Sequence, residues 1–244
     1  ERITKASGPD LHPSLTANKN GVWLTWQGFR EGRFNILMAK INEDQIKEIN
    51  IAATRANEWH PKVCTAPDGK MAIAWDTYQN GNYDVYYALF TESGSLIKSA
   101  PVAATLSFEA NPSLVFDNKN RLWVAYEKAG ENWGKDYGSH FIVPNQNAEG
   151  LFNGRSLRIV CIEDGKFYTT IENLEDKIPG NIRYTYYFYK ILHPGTYNRS
   201  QQPVHYICAP VLSRSKEGHL YLAFKKQTDK HYTTRFENQV MYFN

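Results

Sequence analysis

The feature that most constrains this chain is a pattern that occurs four times. A short apolar run opens at a proline, a turn follows, and a second apolar run ends on an aromatic residue. The first copy runs from Leu11-His12-Pro13-Ser14-Leu15 through the turn Asn18-Lys19-Asn20-Gly21 to Val22-Trp23-Leu24-Thr25-Trp26. The second has His60-Pro61, the turn Pro67-Asp68-Gly69-Lys70, and a strand ending on Trp75. The third has Asn111-Pro112, Asp117-Asn118-Lys119-Asn120 and Tyr126; the fourth has Ala209-Pro210, Lys216-Glu217-Gly218 and Phe224. From proline to closing aromatic the distance is 13, 14, 14 and 14 residues, and successive prolines stand 48, 51 and 98 residues apart. Chance does not hold a spacing that tightly, and the last gap is close to two repeats. Asn, Asp, Gly and Pro occupy the turns because they preset φ or tolerate positive φ.

The first two copies continue alike. Hairpins at Gly28-Phe29-Arg30-Glu31-Gly32-Arg33 and Thr77-Tyr78-Gln79-Asn80-Gly81-Asn82 lead into third strands over 34–41 and 83–90, and a more polar fourth strand follows at 45–51 and 95–102. Four antiparallel strands in a repeat of about 50 residues are the signature of a β-propeller blade, so the expectation is an all-β chain forming a single propeller domain over 1–244. The strand that starts at the proline is expected innermost, with Ser14 and Ser113 small enough to let the blades converge. Two segments break the period, at about 128–155 and 172–207. The first enlarges a hairpin of the third blade and carries Trp133. The second is either a degenerate fifth blade or a lid-like excursion, and the lack of a proline–aromatic pair at the usual spacing favours the excursion. The first residues align with an outermost strand and could complete the last blade, closing the ring and removing sheet edges; alternatively the chain is part of a larger propeller.

These copies resemble the propeller repeats of the TolB-like and sialidase-like (BNR-type) families. The resemblance rests on the proline-led strand, the Asp68-Gly69 turn, the Ala72-Ile73-Ala74-Trp75 strand and the Asn82-Tyr83-Asp84-Val85-Tyr86-Tyr87 strand, and covers residues 1–127 well and 209–243 loosely. It implies an architecture that serves many roles. The sialidase Asp-box is absent, as are an arginine triad and the motifs of five-bladed glycosidases.

Candidate chemistry follows from the repeat. Before the prolines stand His12, His60 and Asn111, and two residues further back stand Asp10, Glu58 and Glu109. If equivalent positions ring the axis, these groups face one mouth of the channel. There they could bind a metal, pair a general acid with a general base for glycosidic cleavage, hydrogen-bond a sugar, or simply brace the loop. A second set, Arg30, Tyr78 and Trp133, lies on hairpins that would cluster on one face, where Arg beside aromatics suits anionic or carbohydrate ligands.

The near-balanced charge, 28 basic against 25 acidic residues, leaves no basic stripe for nucleic acid. No run reaches the length of a membrane-spanning helix. Three cysteines without a CxxC predict free buried thiols. No cofactor and no resident metal is expected. The reading these observations favour is a non-catalytic propeller recognising a glycan or protein, secreted, periplasmic or on the cell surface, with further domains of a longer polypeptide open. The alternative is a carbohydrate-active enzyme, glycoside hydrolase-like, using carboxylates at the funnel mouth.

Overall fold

The structure is a computed structural model, and the residues described are 3–41, 46–52, 54–79, 81–130, 155–170, 181–182, 203–204, 207–227 and 236–243. Each copy of the repeat becomes one antiparallel sheet. The first holds β1 (Asp10–Asn18), β2 (Gly21–Arg30), β3 (Arg33–Ile41) and β4 (Ile49–Ala52). The second holds β5 (Glu58–Thr65), β6 (Met71–Thr77), β7 (Asp84–Phe90) and β8 (Leu96–Ala103). In the third, β9 (Phe108–Phe116), β10 (Leu122–Ala129), β11 (Ser156–Glu163) and β12 (Lys166–Thr169) follow the same order. A two-stranded ribbon pairs β13 (Asn181–Ile182) with β14 (Pro203–Val204). The last sheet has three strands among the described residues: β15 (Ile207–Arg214), β16 (Leu220–Gln227) and β17 (Phe236–Phe243). This is a β-propeller of four-stranded blades.

The innermost strand differs from expectation at its start. It begins before the proline, because the chain passes the proline as a β-bulge. Leu11 pairs with Gln27 and Ser14 with Thr25, so His12 and Pro13 together oppose Trp26. In the same way His60-Pro61 oppose Trp75, Asn111-Pro112 oppose Tyr126, and Ala209-Pro210 oppose Phe224. Two residues against one is the definition of a bulge, and proline, which has no N–H for the ladder, is tolerated there. The first residue of each bulge is left-handed, with φ of 52° at His12, His60 and Asn111 and 53° at Ala209. The proline and aromatic that mark the repeat are therefore the two sides of one bulge.

The blades stack face to face. Trp23, Ile36 and Met38 of the first pack against Val63, Ile73, Trp75 and Phe90 of the second. The other face of the second, with Ala72, Ala74, Val85 and Tyr87, packs on Leu114, Phe116, Val124 and Ile162 of the third. Ala125, Leu157 and Ile159 meet Ile207, Leu212, Leu222 and Phe224 of the last. The closing aromatics Trp26, Trp75, Tyr126 and Phe224 are all buried core. Along the axis the small hydroxyls act as well as fit: Ser14 Oγ accepts the Val63 N–H at 3.2 Å, and Ser113 Oγ accepts that of Leu212 at 2.9 Å.

β15 packs directly on β9 and β10. The two readings of the 172–207 segment, a degenerate blade or an excursion, concern residues that lie almost wholly outside those described. The aromatic stretch 183–191 within it, and most of the 128–155 insertion, fall outside the described residues. Ile3 and Thr4 are not in a strand; Glu1 and Arg2 lie outside the described residues. All three cysteines are free, Cys161 buried and Cys64 and Cys208 half-buried.

Candidate functional site

The bulges gather the chemistry at one end of the inner strands. At His60, Asn111 and Ala209 the left-handed residue turns its backbone N–H toward the preceding blade, where a side chain one position past the closing aromatic accepts it. His60 N–H donates to Gln27 Oε1 at 3.2 Å, Asn111 N–H to Asp76 Oδ2 at 2.7 Å, and Ala209 N–H to Glu127 Oε1 at 2.8 Å. These three latches tie consecutive blades where they converge.

Two latch residues bear charge and are deeply buried. Asp76, with no exposed surface, also meets His60 Nδ1, at 2.9 Å from Oδ2 and 3.2 Å from Oδ1. Glu127 accepts from Arg155 Nη1 at 2.7 Å, and the Arg155 guanidinium lies 4.3 Å from the centre of the Phe108 ring, a cation–π contact. The His12 and His60 rings meet edge to face, 5.1 Å between centroids. Their environments push them apart. Burial opposes charge on His60, but the Asp76 hydrogen bond and the Asp76 and Glu127 charges outweigh it and raise its pKa. Burial, then the charges of His60 and Lys62, lower that of His12, against partial compensation from Asp76.

Beside His60 stands an aromatic wall. Trp59, its neighbour on β5, lies 5.4 Å from Tyr83 and 6.5 Å from Tyr78 between ring centroids; Tyr78 and Tyr83 are 4.9 Å apart, and Tyr83 reaches Phe108 at 5.3 Å. Trp59, Tyr78 and Tyr83 are half-buried, so they present ring surface as well as packing. Burial, then the Asp76 charge, raises the Tyr83 pKa.

The ring expected from the sequence is divided by the structure. His12, His60 and Asn111 come together around Asp76. Asp10, Glu58 and Glu109 turn back into their own blades. Trp26 Nε1–H donates to Asp10 at 3.0 Å and Trp75 Nε1–H to Glu58 at 2.9 Å, in equivalent contacts. Glu58 also accepts from Thr54 Oγ1 at 2.6 Å, and Glu109 from the Thr105 hydroxyl at 2.7 Å and its N–H at 3.0 Å. Glu58 and Glu109 are buried. Arg30 is committed to Asp10 at 3.0 Å and Glu48 at 2.9 Å. Tyr78 joins the aromatic wall, and Trp133 lies outside the described residues. The sequence reading missed Gln27, Asp76, Glu127, Trp59, Tyr83 and Arg155. A hydrogen-bond-accepting side chain directly after the closing aromatic in three copies, with Lys225 in the fourth, was the available signal for the first three.

Among the described residues, no three His, Cys, Asp or Glu side chains are grouped to hold a metal, and no helix is long and apolar enough to cross a membrane.

No family model matches the sequence, and no curated protein is detectably similar to it. Solved structures share its fold. An α-L-arabinanase of Penicillium chrysogenum, complexed with arabinobiose, superposes with a TM-score of 0.56 at 13% identity, over 96% of this chain and 62% of its own. A GH93 α-L-arabinofuranosidase of Fusarium graminearum gives 0.54 at 11% identity, over 96% and 61%. A thermostable family-43 glycoside hydrolase gives 0.51 at 12% identity, over 96% and 70%. The chain thus spans 61–70% of the length of these structures. The likeness is one of fold, and it corrects the preference for a non-catalytic binding module. That preference leaned on missing catalytic motifs. At such low identity to enzymes of the same fold, an unmatched motif carries no weight against catalysis.

Proposed function

We propose that this propeller is a carbohydrate-active enzyme of the glycoside hydrolase type, with its site at the end of the inner strands where the bulges converge. The observation that carries this reading is the juxtaposition of a buried carboxylate and two imidazoles with a wall of half-buried aromatics, in a fold shared with solved arabinan- and arabinofuranoside-cleaving enzymes. Glycosidic cleavage needs one group to protonate the leaving oxygen and another to activate water. It also needs apolar ring surface on which the sugar's C–H face can rest.

Both requirements meet around His60. The histidines and Asn111 supply the polar contacts, and Trp59, Tyr78 and Tyr83 supply the platform. Asp10, Glu58, Glu109 and Arg30 hold the blade ends in place. The TolB-like and BNR-type resemblance of the copies bears on how the blades are built and leaves the chemistry to the site. Polysaccharides do not cross membranes unaided, so the enzyme acts outside the cytoplasm. The test is incubation with linear arabinan, arabinoxylan and xylan, followed by reducing-end measurement and product chromatography. Short oligosaccharides accumulating from one of these support the reading. No product from any soluble polysaccharide, with the protein folded and slowed by the same polymers in native gels, would overturn it.

A further inference from the structure

The described carboxylates nearest the site, Asp76 and Glu127, are both buried and already engaged in hydrogen bonds. His60 is placed differently. Its side chain is 38% exposed, and its Nδ1 is taken by Asp76. A carboxylate only accepts, so Nδ1 carries the hydrogen, and Nε2 is the ring nitrogen left for substrate. A second imidazole, His12, touches the same ring from the neighbouring blade and is itself exposed.

We propose that His60 is the proton donor of this site, held by Asp76 as its positioning residue. The inference rests on the glycoside hydrolase reading and puts an imidazolium where a carboxylic acid ordinarily donates. The His60 Nε2 proton passes to the glycosidic oxygen as the bond from that oxygen to the anomeric carbon breaks, the electron pair staying on oxygen. Water adds to the anomeric carbon and releases its proton to solvent. His60 regains its proton from solvent, so one water is consumed and nothing else.

The surroundings suit these roles. Charged groups facing His60 are Asp76 from β6, Glu127 from β10, Lys62 on its own strand and His12 from β1. The Asp76 hydrogen bond and the two acids favour a protonated His60 against its burial.

The fold itself supplies the clean variant. His60 has φ of 52°, and Asn occupies the equivalent bulge position in the third blade with the same φ. His60→Asn therefore keeps the bulge while removing the imidazole. Three measurements decide the proposal. Long-range 1H–15N spectra of 15N-labelled protein should show His60 protonated at Nδ1 and titrating above His12, and Asp76→Asn should lower the His60 pKa. On whichever polysaccharide is cleaved, His60→Asn should reduce kcat at least about 10²-fold with KM changed less than about threefold, and should abolish the alkaline fall of the pH–rate profile. Asp76→Asn should reduce kcat and move that alkaline fall to lower pH.

A His60 that titrates below His12, or is indifferent to Asp76→Asn, overturns the proposal whatever the activity. Cleavage that survives His60→Asn with an unchanged pH profile overturns it while leaving the hydrolase reading intact. If no polysaccharide is cleaved, the hydrolase reading falls and the donor role falls with it, even where the spectra show the dyad.

Discussion

At the scale of single residues, the left-handed bulge position sets the terms. His12, His60, Asn111 and Ala209 share one φ, yet only Asn is well suited to it. An L-residue there costs on the order of 1–2 kcal/mol, and Asn visits the region more easily than Ala. Ala209 is exposed, so a larger side chain has room. Ala209→Asn should raise unfolding free energy by about 0.5–1 kcal/mol, and Ala209→Val should lower it by at least about 1 kcal/mol; urea denaturation with unchanged m-values would show both. Glu58 invites a second test. Burial raises its pKa, against hydrogen bonds from Thr54 and Trp75. A carboxyl that holds its proton more tightly folded than unfolded stabilises at low pH, and that stability is lost as pH rises from the ordinary glutamate range through the raised value. Glu58→Gln should flatten that slope and fold normally at neutral pH. Glu58→Ala should cost about 1–3 kcal/mol, because it strands the Trp75 N–H.

At the scale of elements, the blade was legible in the sequence and the latches were not. Proline, aromatic and turn residues act locally, so their spacing exposes the repeat. A latch joins a side chain of one blade to a backbone N–H of the next, so the position of Asp76 and Glu127 after their aromatics marks a place in the repeat without showing what it bonds. The bulge also explains why Glu58 was expected at the mouth. In a regular strand Glu58 and His60 would share a face, but an extra residue in the pairing breaks the two-residue alternation. Glu58 turns to its own Trp75 while His60 turns to Asp76. Trp59 was overlooked for the same reason. The latch at Glu127 gives the sharpest prediction. Glu127→Ala removes the carboxylate that Arg155 and the Ala209 N–H share, and should cost about 3–5 kcal/mol, the range for breaking one side of a buried ion pair. Glu127→Gln should cost clearly less, since Gln27 makes the equivalent latch to His60. Hydrogen exchange at the Ala209 amide should quicken in Glu127→Ala well before global unfolding.

At the scale of the whole molecule, the blades are unequal in how they are supported. The second is clasped on both faces by its neighbours, and every residue of β6 is buried. The first and second also interlock at the far end of the inner strands, where Asn18 Nδ2 donates to Gly69 O at 3.1 Å and Glu92 O at 2.9 Å, and the Thr16 and Thr65 hydroxyls meet at 2.8 Å. Local opening follows contact density and burial, so stability is graded across a structure like this one. Amide exchange should be slowest in β6 and β7, intermediate in β10, and fastest in β4, β8 and β12, whose residues are largely exposed. Trp75 sits where this gradient peaks. Its indole is buried between the first two blades, bonded to Glu58 and stacked on Tyr86 at 6.1 Å. Trp75→Ala should cost about 3–5 kcal/mol by opening a cavity there. The loss should reach the first blade as well as the second, so that exchange accelerates in β3 as well as in β6. Combined with Glu58→Gln, the cost should fall short of the sum of the two single changes, because the carboxyl and the indole are partners in one contact. Strict additivity, or acceleration confined to β6, would mean that each blade is held by its own ladder rather than by its neighbours.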